Sequence, residues 1–174
     1  MKGENVIVTC RYDSPCGMLV LGSLGDRLCL CDWQVEKHHG HVLRRLERML
    51  DVRLEDGASG VLKEAGRQLD EFFAGERRIF SVPLLFTGTE FQKKVWRDLL
   101  SIPYGTTVSY GEMARRIGSP HAVRAVANAN GANSISLFAP CHRVVGSDRS
   151  LTGYGGGLAA KQYLLELERR VLEE

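Results

Sequence analysis

Between residues 5 and 33 the apolar residues fall in short alternating or continuous runs, and from residue 42 onward they recur at helical spacing. NVIVTCRY, MLVLGS and RLCLCDW read as strands, punctuated by Asp13-Ser14-Pro15 and Leu24-Gly25-Asp26. Val42, Leu43, Leu46, Met49 and Leu50 share one helix face. Leu62, Ala65, Leu69, Phe72 and Phe73 share a second, which ends near Gly75. A sheet and helices that are each apolar on one side must bury those sides against each other. We therefore expect a small α/β unit over residues 1–86. It has an antiparallel meander, Cys29 and Cys31 on one strand face, two helices, and a return strand in RRIFSVPL.

The second half is helical in its signals. Thr89 and Gln92 have capping-box spacing and open a helix that runs to about Leu100. IPYG breaks it. Ser109 and Glu112 have the same spacing and open a helix carrying Met113, Ala114 and Ile117; Gly118 can end it in the left-handed conformation. Ser119-Pro120 then predicts another helix, from Pro120 to about Asn130. Helix, short glycine-containing turn, helix is the helix-turn-helix outline. On the second helix His121, Arg124 and Asn128 lie along one side, and Ala122, Ala125, Ala127 and Ala129 leave the backbone bare. A bare helix can approach a neighbouring helix closely, or enter a nucleic-acid groove with Arg124 reaching in. NANGANS is a turn, ISLFA a strand-like run, and LTGYGGG a loop before the last helix.

Charge is distributed unevenly. The net charge is +2, but residues 88–154 hold eight Lys/Arg against four Asp/Glu, leaving the rest of the chain at −2. A basic segment suits a polyanion. Five cysteines, an odd number, and an N-terminus with no apolar core point to free thiols in a reducing compartment, so we expect a cytoplasmic protein with no membrane segment.

Within FAPCHRVVG, Cys141 stands beside His142. The thiolate is the nucleophile, and a nearby base is what makes it available at neutral pH. In an extended segment neighbouring side chains diverge. A turn, or a bridging water, must therefore bring the imidazole to the thiol. A carboxylate commonly orients such a histidine; Glu112, Glu166 and Glu168 are the candidates.

PCHRVVG resembles the active-site signature of the O6-alkylguanine-DNA alkyltransferases, the methylated-DNA–protein-cysteine methyltransferases. TEFQKKVWRDLLSIPYGTTVSYGEMARRIG, AVRAVANANGAN and GYGGGLAAKQYLLELE resemble further family segments in the same order, across residues 87–168. DSPCGMLVLGSLGDRLCLCDW is similar to the weaker N-terminal pattern. The resemblance implies a ribonuclease-H-like N-terminal domain at 1–86 and a mostly helical, winged-helix-like C-terminal domain at 87–174. It implies a single-use transfer of the alkyl group from O6-alkylguanine, and from O4-alkylthymine, in double-stranded DNA to Cys141. Base flipping would precede the transfer, and the protein would act as a monomer without cofactor. His142 would be the base and Glu168 its orienting carboxylate; Tyr110 would donate to the guanine ring. Asn133 would tie the turn before the cysteine. Arg124 would fill the vacated stack, with Ala122, Ala125 and Asn130 facing DNA. Val144, Tyr154 and Gly155 would join Tyr110 in the base pocket.

Two positions depart from the family pattern. Ser134 stands where proline is common, which implies a looser turn, and Gly155 where serine or alanine is common. Cys29, Cys31, His38, His39 and His41 have zinc-like spacings but match no expected ligand pattern, so no metal is expected. A helix-turn-helix module without chemistry, a binder of alkylated bases lacking the acceptor thiol, and a cysteine hydrolase are the competing readings.

Overall fold

The computed structural model describes residues 5–174, the side chains at 36–39 excepted. Strands β1 (Val6–Ser14), β2 (Gly17–Leu24) and β3 (Arg27–Trp33) form the expected antiparallel meander. Helix α1 (Glu36–Leu50) follows, then a strand that the patterning did not announce, β4 (Arg53–Asp56). It pairs in parallel with β1, so the sheet is mixed, in the order β3-β2-β1-β4. The four residues of β4 lie at the sheet edge and are mostly exposed, so no apolar alternation marks them. The return strand expected in RRIFSVPL is a loop; only Leu84 makes a bridge, to Leu28.

The sheet is covered on both faces. Helix α1 packs Val42 and Leu46 with Ile7, Cys29 and Leu30. On the other face α2 (Gly60–Phe73) packs Leu62, Ala65, Leu69 and Phe72 with Leu19, Leu21, Cys31 and Trp33. Cys29 and Cys31 therefore do not share a face. A β-bulge opposite Gly22 and Ser23 leaves Cys29 as the extra residue and reverses the alternation at that point. His41 is exposed beside Arg44, and the side chains of His38 and His39 lie outside the described residues. Among the described residues no three His, Cys, Asp or Glu side chains gather as a metal site.

The C-terminal helices are α3 (Glu90–Leu99), α4 (Tyr110–Arg116), α5 (Val123–Gly131) and α6 (Leu158–Glu173). Thr89 and Gln92 make both bonds of the capping box at α3. At α4 Ser109 accepts from the Glu112 amide at 3.0 Å, while the Glu112 carboxylate faces Arg149 at 3.6 Å. Gly118, at φ 79°, ends α4, with the Ser119 amide bonded back to Ala114. Helix α5 begins at Val123, later than expected, because Ser119-Pro120-His121 is used in the turn; the Ala122 amide bonds to the Ser119 carbonyl. Trp96 anchors α3 to α5 through Nε1 and the Ala129 carbonyl at 2.8 Å. Two-residue strands β5 (Val108–Ser109) and β6 (Val144–Val145) pair in parallel.

The two halves share a core. Ile135, Leu137, Phe138, Ala160, Leu164 and Leu167 pack into the α2 face of the sheet. At the bulge, a Cβ on Gly22 would lie 2.9 Å from both Ile7 Cγ2 and Leu30 Cβ. Gly22→Ala is therefore expected to lower unfolding free energy by about 1–3 kcal/mol, read as a lower urea midpoint.

Candidate active site

The segment expected as a strand, Ile135–Ala139, is a tight buried turn. Asn133 closes it: Oδ1 accepts from the Ile135 amide at 3.0 Å and Nδ2 donates to the Ala139 carbonyl at 2.9 Å. The Ala139 amide bonds to the Ile135 carbonyl at 2.9 Å, and Leu137 takes φ 73° at the bend. Apolar residues drive the run inward, but these bonds curl it before it can extend. Ser134 is tied in from the sheet side. It is fully buried, its carbonyl accepts from the Cys31 amide at 2.8 Å, and the Ser136 amide bonds to the Cys31 carbonyl at 2.7 Å. The turn is thus stitched to the edge strand β3.

Cys141 follows at the start of a 3-10 turn, Cys141–Arg143, which is the turn needed to rotate the imidazole away from an extended course. The thiol is 4% exposed, with Ser136 Oγ at 4.0 Å. Burial pushes the Cys141 thiol up, opposed by hydrogen bonds from Asn133 and Ser136 and by the Lys161 charge. It rests as a thiol.

Glu168, on α6, is the carboxylate that meets His142: Oε2 lies 2.7 Å from Nε2. Glu166 is exposed and bonded to Gln162. Glu168 is fully buried and receives three more donors: the Gly105 amide at 3.0 Å, Arg143 Nε at 2.9 Å and Arg143 Nη2 at 2.9 Å. Burial pushes its carboxyl up, but His142 and Arg143 outweigh that and hold it at about 2. Burial lowers His142 despite Glu168, so the imidazole is neutral at pH 7. An ionised carboxylate only accepts, so Nε2 carries the proton and Nδ1 the lone pair. Nδ1 is buried with no hydrogen-bond partner among the described residues.

Pairing of β5 with β6 sets Val108 opposite Val144 and Ser109 opposite Val145, and Tyr110, at the start of α4, packs against the cluster that holds Cys141 and the buried Val144. Thr152 Oγ1 donates to the Tyr110 hydroxyl at 3.2 Å, which leaves the phenol proton for another acceptor. Tyr154 and Gly155 lie half-buried in the loop before α6. Tyr154 meets Trp33 edge to face, at 5.8 Å between centroids. Gly156 lies flush on the Trp33 ring, where a Cβ would come within 2.5 Å.

Helix α5 presents Arg124 and Ala125 to solvent, with Ala122 half-buried at its start. Asn130 is not on that surface. It is buried, and Nδ2 donates to the Cys141 carbonyl at 3.4 Å, so its expected contact with DNA is corrected to a support of the cysteine loop.

Sequence reasoning missed Arg143, Lys161 and Trp33. Arg143 also donates Nη1 to the Ile102 carbonyl at 2.8 Å. Lys161 is fully buried, with Nζ 2.6 Å from the Val144 carbonyl and 2.9 Å from the Thr152 carbonyl. A signal was present: Lys161, Leu164 and Glu168 fall on one helical stripe, where charges among apolar residues need partners. Nothing local marks Trp33, whose partner is over a hundred residues away.

Residues 90–170 match the family model described as 6-O-methylguanine DNA methyltransferase, DNA binding domain, and residues 7–86 its ribonuclease-like domain. A methylated-DNA–protein-cysteine methyltransferase of Mycobacterium leprae is 45% identical over 170 residues, 94% of this chain and 93% of that one. The crystal structure of the Mycobacterium tuberculosis O6-methylguanine methyltransferase superposes with a TM-score of 0.79 at 42% identity, covering 94% and 93% of the two chains. The structure of Mycobacterium tuberculosis OGT in complex with DNA gives the same score and identity over 95% and 94%.

Arg143→Ala leaves the buried Glu168 carboxylate without its ion pair and is expected to cost about 3–5 kcal/mol in urea unfolding. Glu168 is held below its unfolded value, so its contribution is present above about pH 4.5 and lost as pH falls toward 2. Glu168→Gln should remove that part of the acid loss of stability, read by thermal unfolding between those two pH values.

Proposed function

Because the chain belongs to the 6-O-methylguanine DNA methyltransferase family, we propose that it repairs DNA by moving the alkyl group of O6-alkylguanine onto Cys141, once per molecule. The observation that carries this is the ordered set Cys141, His142 and Glu168: a buried thiol, a neutral imidazole with a free lone pair, and a carboxylate that fixes the tautomer.

His142 Nδ1 takes the thiol proton, directly or through one water. The sulfur attacks the carbon on O6; the S–C bond forms as the C–O6 bond breaks, and the electron pair leaves on the guanine. Tyr110 donates a hydrogen bond to the ring and stabilises that anion. The product is a thioether with no acyl carbon for water to attack, so the thiol is not regenerated. O4-alkylthymine offers the same carbon–oxygen bond. The competing reading as a hydrolase requires an acyl intermediate and turnover; the reading as a binder of alkylated bases requires the thiol to be absent.

A thiol that is 4% exposed cannot reach a base inside a duplex. The target must be flipped out. Helix α5 suits the minor groove because Ala122 and Ala125 leave it thin, and Arg124 projects into the stack the base vacates. Phosphate contacts would supply the affinity with little sequence preference. Among the described residues no helix is long and apolar enough to cross a membrane, and all five cysteines are free. We place the reaction in the cytoplasm, in a monomer.

Mixed with duplex DNA carrying O6-methylguanine, the protein is expected to gain the mass of one methylene and no more, and Cys141→Ala none. An intact mass that stays unchanged in folded protein with a free Cys141 would leave only the binding-module reading. The transfer rate should be level through neutrality and fall only below the ordinary histidine range, since His142 acts as the neutral base and its pKa is lowered; quenched-flow rates across pH check this. Arg124→Ala should slow transfer from duplex DNA while leaving transfer from a free O6-alkylguanine base close to that of the unaltered protein.

A further inference from the structure

A cavity of about 860 Å³ lies at the seam of the two halves. The loop that carries Cys141 forms one wall through Leu137, Phe138 and Pro140, although Cys141 itself is not a lining residue. Phe80, Leu84 and Phe86 also line it, and the Phe80 ring packs on that of Phe138 with 4.3 Å between centroids. The volume is that of a small-molecule site. Nothing in the proposed alkyl transfer uses it.

Its charged groups share one sign. Arg78 and Arg97 line it, and neither has a carboxylate within ion-pair distance among the described residues. The Arg78 guanidinium sits 5.6 Å above the Tyr104 ring. Arg143 also lines the cavity, but its guanidinium is taken up by Glu168 and the Ile102 carbonyl. Two exposed guanidiniums without a carboxylate partner among the described residues, beside an aromatic wall, are complementary to an anionic head on an apolar tail. A neutral apolar occupant would gain nothing from the guanidiniums, and a cation would be repelled.

We propose that this cavity binds an amphiphilic anion, with a carboxylate or phosphate head at Arg78 and Arg97 and its tail along the phenylalanine wall. Such a ligand would brace the loop before Cys141 and stabilise the folded chain in proportion to its occupancy. The site is separate from the thiol, so it stands or falls independently of the alkyl-transfer reading.

The test is isothermal titration of the full chain with decanoate, decyl phosphate, decanol and decyltrimethylammonium, each below its aggregation concentration. One or both anions should bind at one site per chain and raise Tm, with the tighter of the two identifying the head group. Cys141→Ala should bind equally well. The pair Arg78→Gln with Arg97→Gln, and separately Leu100→Glu at the exposed mouth, should weaken binding about tenfold or more, with Tm and alkyl transfer in the absence of anion unchanged. Failure of both anions to bind, equal binding of decanol or the ammonium, or anion binding that persists in both variants would overturn the proposal.

Discussion

One carboxylate holds the catalytic half together. Glu168 accepts from an imidazole, a guanidinium and a backbone amide, and those donors come from the 3-10 turn and the loop after α3. A buried carboxylate is costly unless every lone pair is used. Here the donors use them, and the same bonds fix two segments relative to α6. The arrangement also sets the chemistry, because the ionised oxygen that receives Nε2–H leaves Nδ1 as the basic nitrogen of His142. Structure and reactivity therefore have a common origin at this point.

The cysteine loop is held from the other side by Asn133 and Ser134. Asn133 curls the chain so that Cys141 arrives in a turn, and Ser134 and Ser136 bond to Cys31 on the sheet. The N-terminal half is thus a wall of the site rather than an appendage: β3 supplies the edge for the turn, and Trp33 supports Tyr154. A thiol lifted by burial rests protonated and protected, and it becomes a nucleophile when a base accepts its proton in place.

Much of the local structure around the site was legible in the chain. Thr89 with Gln92 and Gly118 are local devices, satisfied within one turn of their own helix, and they appear where their spacing places them. The departures are equally specific. Strand β4 is short, exposed and polar, so it exists only because β1 offers it an edge. Ile135–Ala139 has the composition of a strand, but its Asn133 bonds and its two ties to Cys31 overrule propensity. Asn130 reads as a surface residue of a DNA-facing helix, yet the fold turns it inward to the Cys141 carbonyl. Cys29 and Cys31 keep strand spacing and still part company at a bulge.

By itself the sequence determined the local chemistry: a thiol beside an imidazole, a bare helix bearing one arginine, the caps that start and stop the helices, and the family resemblance those segments carry. Only the tertiary structure decided which carboxylate meets the imidazole, which nitrogen is left basic, and that Arg143, Lys161 and Trp33 belong to the site. These are contacts between residues far apart in the chain, more than a hundred positions for Trp33 and Tyr154. Their energies come from desolvation and hydrogen-bond geometry, which exist only once the chain has closed.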